Sequence, residues 1–298
     1  MSKPNVDIGR VGIWYGGIDG LRSPDARRAA QLVEELGFGA LWLAEAVGRD
    51  PFSAAAILLS TTERLPLATG IASIYARDPM AMVAAQKTLA EAFPGRFLLG
   101  LGVSHHTLVE GVRQHDYSKP YSHMSQYLDQ MDAALYMSHG PELEPGRVLA
   151  ALGPKMLELS ATKANGAHPY LTTPAHTAEA RKVMGTDALL APEQMVVLST
   201  DAAEARRIAR GALTMYLGLP NYTNSFKRFG FTDEDCANGG SDRLIDALVA
   251  WGTAEQIATR VAEHHAAGAD HVCVQVLNGE MGIMPSAEWR ELAPALLG

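Results

Sequence analysis

The sequence predicts an α/β chain folded as one (β/α)8 TIM barrel over residues 1–298, and three observations carry that prediction. Eight short apolar runs alternate with stretches of helical periodicity, the arrangement of a parallel sheet whose strands are joined by crossover helices. The count of eight points to a closed barrel more than to an open doubly wound sheet. No G-x-G-x-x-G follows the first run, which counts against a dinucleotide-binding sheet.

Taken in order, VGIWY (Val11 to Tyr15) is the first strand, and Ser23, Pro24 and Asp25 open a helix that ends at Gly37. ALWLA (Ala40 to Ala44) precedes a helix over 52–62, and LPLATG (Leu65 to Gly70) precedes a longer one over 79–93. RFLLGLG, ending at Gly102, is the fourth strand, and its helix spans 121–137. RVLAAL, AHPYL and MVVLS follow with helices over 155–164, 177–184 and 201–215. The eighth strand, HVCVQV (His271 to Val276), comes late, after a helix over 253–267 whose Thr253 and Gln256 are spaced for a capping box. Residues 216–240, rich in Gly, Asn and aromatics, read as an insertion or lid, because long connections in compact domains are usually functional.

Composition narrows the function. With 47% hydrophobic and 19% charged residues the chain can bury a sizeable core, and a net charge of -8 disfavours nucleic acid and anionic membranes. A small-molecule substrate is the expected partner. Only Cys236 and Cys273 are present, without redox or zinc spacing, which suits a cytoplasmic protein. The first residues hold no apolar signal core, and no run of about 18 apolar residues offers a membrane span. The ten histidines form no H-E-x-x-H, no G-x-S-x-G occurs, and no metal site is expected. His264 and His265 read as helix-surface residues.

Barrel chemistry sits where the strands end and the β-to-α loops converge. That rule singles out Tyr15, Glu45, the segment from Gly70 to Tyr75, the segment from Gly102 to His106, the segment from Gly153 to Met156, His168, Tyr170 and Gln275. Glu45 suits a carboxylate that accepts hydrogen bonds from a bound ring system, or a plain loop glutamate. His105 and His106 are proton-transfer candidates because imidazole titrates near neutrality, or else polar packing residues. ALGPKMLEL places Gly153, Pro154, Lys155 and Met156 at a strand-to-helix junction, either a phosphate cradle or a tight turn. Trp42, inside its strand, reads as barrel core.

A second strand ending in an acidic residue, TGI after the third strand, RDPMAMVAAQ on the next helix and PGRFLLGLG occur here together. In that order and spacing they closely resemble the bacterial luciferase-like family, above all its coenzyme F420-dependent oxidoreductase branch. The likeness is strong through the first half and looser onward to the eighth strand.

The resemblance implies a barrel that binds deazaflavin F420, or alternatively FMN, at its C-terminal mouth. It places Glu45 near the polar edge of the ring, and Gly70, Ile71 and Ala72 on a third-strand bulge with a non-prolyl cis peptide. Gly102 makes room for the ring, and the phosphate loop maps to Gly153, Pro154, Lys155 and Met156. The implied reaction is hydride transfer; FMN would also allow monooxygenation, and a non-catalytic flavin-binding protein is a further alternative. Dehydrogenases of this branch carry a histidine where this chain has Ala46, and some a glutamate where it has His105. Proton transfer therefore falls to His105, His106, Tyr15 or solvent. Lys155 and Arg77 are the cations expected to meet the anionic coenzyme tail. The family also implies a homodimer.

Overall fold

The computed structural model describes residues 2–280 and 282–298. In chain order its strands are β1 (Val11–Trp14), β2 (Leu41–Leu43), β3 (Leu67–Thr69), β4 (Ala72–Ser73), β5 (Phe97–Gly102) and β6 (Arg147–Leu149). They continue with β7 (Gly166–Ala167), β8 (Leu189–Leu190), β9 (Glu193–Val197), β10 (Val249–Trp251) and β11 (Val272–Val276). All pairings are parallel, in the order β10-β9-β11-β1-β2-β3-β5-β6-β7-β8, with β4 beside β5.

The two ends of the wall meet in one kinked strand. Only Ala191 and Pro192 separate β8 from β9, and Pro192 has no N–H to give to a ladder. Across this kink the Ala191 and Glu193 amides still donate to Ala167 and Pro169 at 2.9 and 2.8 Å, while Cys273 donates to Pro192 O at 3.0 Å. The ring is thus closed, and β10 pairs with β9 outside it. Such a three-residue strand was not expected from the sequence.

Side-chain alternation along each strand splits the core into two layers. Trp14, Trp42, Ala68, Leu98, Val148, Leu189 and Cys273 pack inside the ring. Ile13, Leu41, Leu43, Leu67, Leu99 and Val274 face the surrounding helices. Several of those helices start on proline, at Pro51, Pro79, Pro120, Pro154, Pro174 and Pro220, where the missing N–H costs nothing. Asp50, Asp78, Thr173, Asp201 and Ser241 cap their helices through the side chain, and Thr253 and Gln256 form the anticipated capping box.

The segment 216–240 carries helices Pro220–Arg228 and Asp233–Cys236 and buries Tyr222 and Phe226 in a small second core. One expectation is corrected. His264 is fully buried, held between Thr177 Oγ1 at 2.8 Å and Gln194 Oε1 at 3.0 Å.

Candidate active site

One arc of the mouth is held by Glu45, just beyond β2. Its Oε2 accepts from the Ser73 amide at 2.7 Å and from Arg77 Nη1 at 3.0 Å. Arg77 also reaches Asp50 at 3.1 Å and lies over the Phe52 ring at 4.8 Å. The pair joins the β2 loop to the segment beyond β4 with a charge-assisted, doubly bonded contact.

Next along the arc, the Gly70–Ile71 peptide is cis, and Gly70 O accepts from Trp14 Nε1 at 3.1 Å. A Cβ at Gly70 would sit 2.6 Å from Trp14 Nε1 and 3.0 Å from His168 Nε2, so only glycine lets the backbone lie against the barrel interior here. Ile71 covers Gly102, where a Cβ would collide with its Cδ1, and Ala150 stands beside it. Further on, the helix Pro154–Lys163 begins at Gly153 with no side-chain cap. Nothing lies within 4 Å of a Cβ built on Gly153, and Lys155 is exposed. Free N–H groups and the positive end of the helix dipole therefore face open space, a setting that suits an anion.

The opposite wall is aromatic. Tyr170, with its ring 5.2 Å from Trp14, donates its hydroxyl to Gln275 Oε1 at 2.9 Å, and the Tyr216 hydroxyl lies 3.0 Å away. Because Gln275 Oε1 only accepts, Tyr216 donates to Tyr170. Tyr222, from the helical insertion, packs against Tyr216 at 5.2 Å and against the His105 ring at 5.6 Å. Burial pushes the Tyr170, Tyr216 and Tyr222 hydroxyls up, which keeps them protonated. Burial also holds His105 below its ordinary value of 6.5, so its ring is neutral at physiological pH, and its Nδ1 is buried without a partner.

Beneath the mouth, Trp42 stacks on His168 at 4.3 Å and donates to His271 Nε2 at 3.1 Å. His168 Nδ1 faces Ala191 O at 2.7 Å, which fixes the proton there and leaves Nε2 as a bare acceptor. Glu193, level with Cys273, is fully buried. Its Oε2 accepts from the Leu171 amide at 2.9 Å, its Oε1 has no partner, and burial pushes it up to about 8.

The structure therefore brings Glu45, Gly70, Ile71, Ala72, Gly102, His105 and the Gly153, Pro154, Lys155 and Met156 loop to one end of the barrel. Two candidates lie elsewhere. Tyr15 follows the outward phase of β1 and packs edge-on against Trp289 at 5.2 Å in the helix-facing layer. His106 is exposed and pairs with Glu110 at 2.9 Å. Arg77 is committed to Glu45. Sequence reasoning missed Tyr216 and Tyr222, buried Glu193, and Arg228, which donates to Leu152 O at 3.0 Å beside the Gly153 loop. The aromatic-rich stretch 216–240, and Pro220 as the start signal of the helix that carries Tyr222, were the usable clues.

A closed barrel with a glycine-floored platform, an open helix start and a half-buried imidazole at its C-terminal mouth defines a barrel enzyme that works on a bound small molecule. The luciferase-like monooxygenase family model matches residues 16–271, and the chain belongs to that family. A putative coenzyme F420-dependent oxidoreductase of Mycobacterium tuberculosis is 38% identical over 96 residues, which span 32% of this chain and 28% of that relative. Two solved structures share the fold. An F420-dependent secondary alcohol dehydrogenase in complex with an F420-acetone adduct has a TM-score of 0.77 at 15% identity, covering 97% of this chain and 99% of that one. The FMN-bound oxygenating constituent of 3,6-diketocamphane monooxygenase from Pseudomonas putida has a TM-score of 0.68 at 12% identity, covering 96% of both chains. The names of these three proteins specify F420 for two of them and FMN for the third. Among the described residues no group of three or more His, Cys, Asp or Glu is placed to hold a metal, and no helix is long and apolar enough to cross a membrane.

Proposed function

We propose that the protein is an F420-dependent oxidoreductase that transfers a hydride between the deazaflavin and a small organic substrate. The observation that carries this reading is the contiguous arc from Glu45 through Ser73 and Gly102 to the uncapped helix at Gly153. It offers a polar edge, a flat backbone floor and an anion cradle in the order that a tricyclic ring with a phosphate-bearing tail requires.

Ser73, Glu45 and Arg77 would hold the polar edge of the ring. Gly70 and Ile71 would back one face, and the Gly153 and Lys155 amides with the Lys155 ammonium would hold the phosphate. The coenzyme, when bound, supplies two-electron hydride chemistry. The protein's part is to fix distance and orientation and to exclude water, which the Tyr170, Tyr216 and Tyr222 wall does on the open side. His105, neutral and with no partner at Nδ1, would take the proton released when a substrate gives up a hydride, and the protonated ring would return it in the reverse direction. Both cysteines are free, in keeping with a cytoplasmic protein. The homodimer that the family implies belongs to the same reading.

The family model and the FMN-bound neighbour favour one second reading, an FMN-dependent monooxygenase on the same platform. Titrating the purified protein with F420 and with FMN, followed by fluorescence quenching, separates the two. Saturable quenching by F420 is expected. Tight FMN binding with no response to F420 would replace the first reading with the second.

A further inference from the structure

We infer that the substrate carries a carboxylate, and that Arg113 binds it at the rim between the β2 and β5 loops. This deepens the proposed function by naming the substrate class at the same mouth, and it rests on that reading.

The loop beyond β5 turns back so that Arg113 Nη2 donates to Ala46 O, within the loop that follows β2, across 3.2 Å. In sheet order β3, which leads into the Gly70–Ile71 platform, lies between the strands that carry those two loops. A guanidinium has five N–H donors. Arg113 uses one on Ala46, and its Nε is buried without a partner. No acidic side chain among the described residues pairs with it.

The neighbouring acids are already engaged. Glu45 is held by Arg77 and the Ser73 amide, and Glu110 by His106 and the Tyr117 amide. A half-buried cation with an unmet donor, in a chain of net charge -8, is an uncommon arrangement unless something arrives to complete it. The planar fork of arginine matches the two oxygens of a carboxylate.

The surroundings specify the rest of the ligand. Ala46 presents only a methyl group, Val47 and Val112 are 77% and 62% exposed beside it, and across the mouth stand Tyr216 and Tyr222. Apolar collars around a fork of donors suit an organic acid with an aromatic or aliphatic body.

The alternative role for Arg113 is a strut that ties two loops together. A strut affects folding but does not distinguish an anion from a neutral molecule of the same shape. Calorimetric titration of wild type, Arg113→Gln and Arg113→Lys with phenylacetate and hexanoate, and with the two corresponding amides, separates the roles. The acids are expected to bind wild type at least about tenfold more tightly than the amides. Arg113→Gln should erase that preference, Arg113→Lys should keep part of it, and all three proteins should melt within a few degrees of one another. Equal affinity for acid and amide in wild type, absent binding of both acids, or a preference that survives Arg113→Gln would overturn the inference. F420 quenching measured on the same samples keeps the two readings apart. Lost quenching with an intact Arg113-dependent preference counts against the cofactor alone, and normal quenching without the preference counts against the carboxylate alone.

Discussion

Arg77 and Glu45 form a near-buried ion pair at the mouth, their side chains 16% and 7% exposed, with the Ser73 amide sharing the carboxylate. Removing one member of such a pair costs more than the pair itself is worth, because the other charge is left without its partner. Arg77→Ala should lower stability by about 3 kcal/mol, and Glu45→Gln by less, since an amide can still accept from Ser73. Urea denaturation of the two variants and their double mutant gives the coupling. If Arg77→Ala melted like wild type, the pair would be only a surface contact.

Glu193 makes stability depend on pH in the alkaline direction. Its folded value of about 8 lies above its ordinary 4.5, so the folded state holds an extra proton between them. That stabilisation is complete below 4.5 and is lost as pH rises through about 8. Glu193→Gln, which cannot ionise, should therefore gain on wild type by roughly a few kcal/mol at pH 9 and much less at pH 5. Parallel urea midpoints for the two proteins across that range would refute the assignment.

His168 and His271 act at the other end of the scale. Burial holds both at about 4, below the ordinary 6.5, so they are neutral in the fold. Their contribution is present above pH 6.5 and is lost as pH falls toward 4. His271→Gln should flatten the acid limb of the stability curve while costing about 1 kcal/mol at neutral pH through the altered Trp42 bond. Thermal melts at a series of pH values below 7 provide the measurement.

Gly102 and Gly153 should respond differently to alanine. At Gly102 the new methyl must push Ile71 off its position, so Gly102→Ala should fold with a loss of about 1–2 kcal/mol but lose most F420 quenching. At Gly153 there is room, so Gly153→Ala should melt like wild type. Lys155→Glu should leave stability unchanged and weaken coenzyme binding about tenfold or more, an effect that added salt reduces. A Gly102→Ala protein that quenched F420 normally would remove Ile71 from the platform.

His105→Ala should reduce turnover far more than coenzyme affinity, because the ring is expected to handle a proton and not to hold the cofactor. Steady-state rates with an accepted substrate, set beside the quenching titration, test this. Equal losses in both would make His105 a binding residue.

Much of the fold was legible in the sequence because helix starts carry their own chemistry. The prolines and short polar caps that open the helices around the ring bounded the strands between them. Phase was not legible. In VGIWY both faces are apolar, since a barrel strand is covered on its inner and outer sides, so nothing marked Trp14 as inward and Tyr15 as outward. The kink at Pro192 and the off-ring β10 depend on pairings more than 20 residues apart, beyond what a local pattern records. The site divides the same way. Glu45, the platform and the Gly153 loop follow from their positions after strands. Arg113 and Glu193 are notable for partners they lack, which only a folded neighbourhood can reveal.

The excursion between β9 and β10 adds Tyr222 to the mouth, leaving from β9 in the ring and rejoining the wall at β10, outside it. Insertions or deletions there need not disturb the stagger of the barrel strands or the platform on the other side. On the proposed reading, the aromatic wall and the cofactor platform lie on separate lengths of chain, and this segment is a natural place to graft loops when the protein is to be redirected to new molecules.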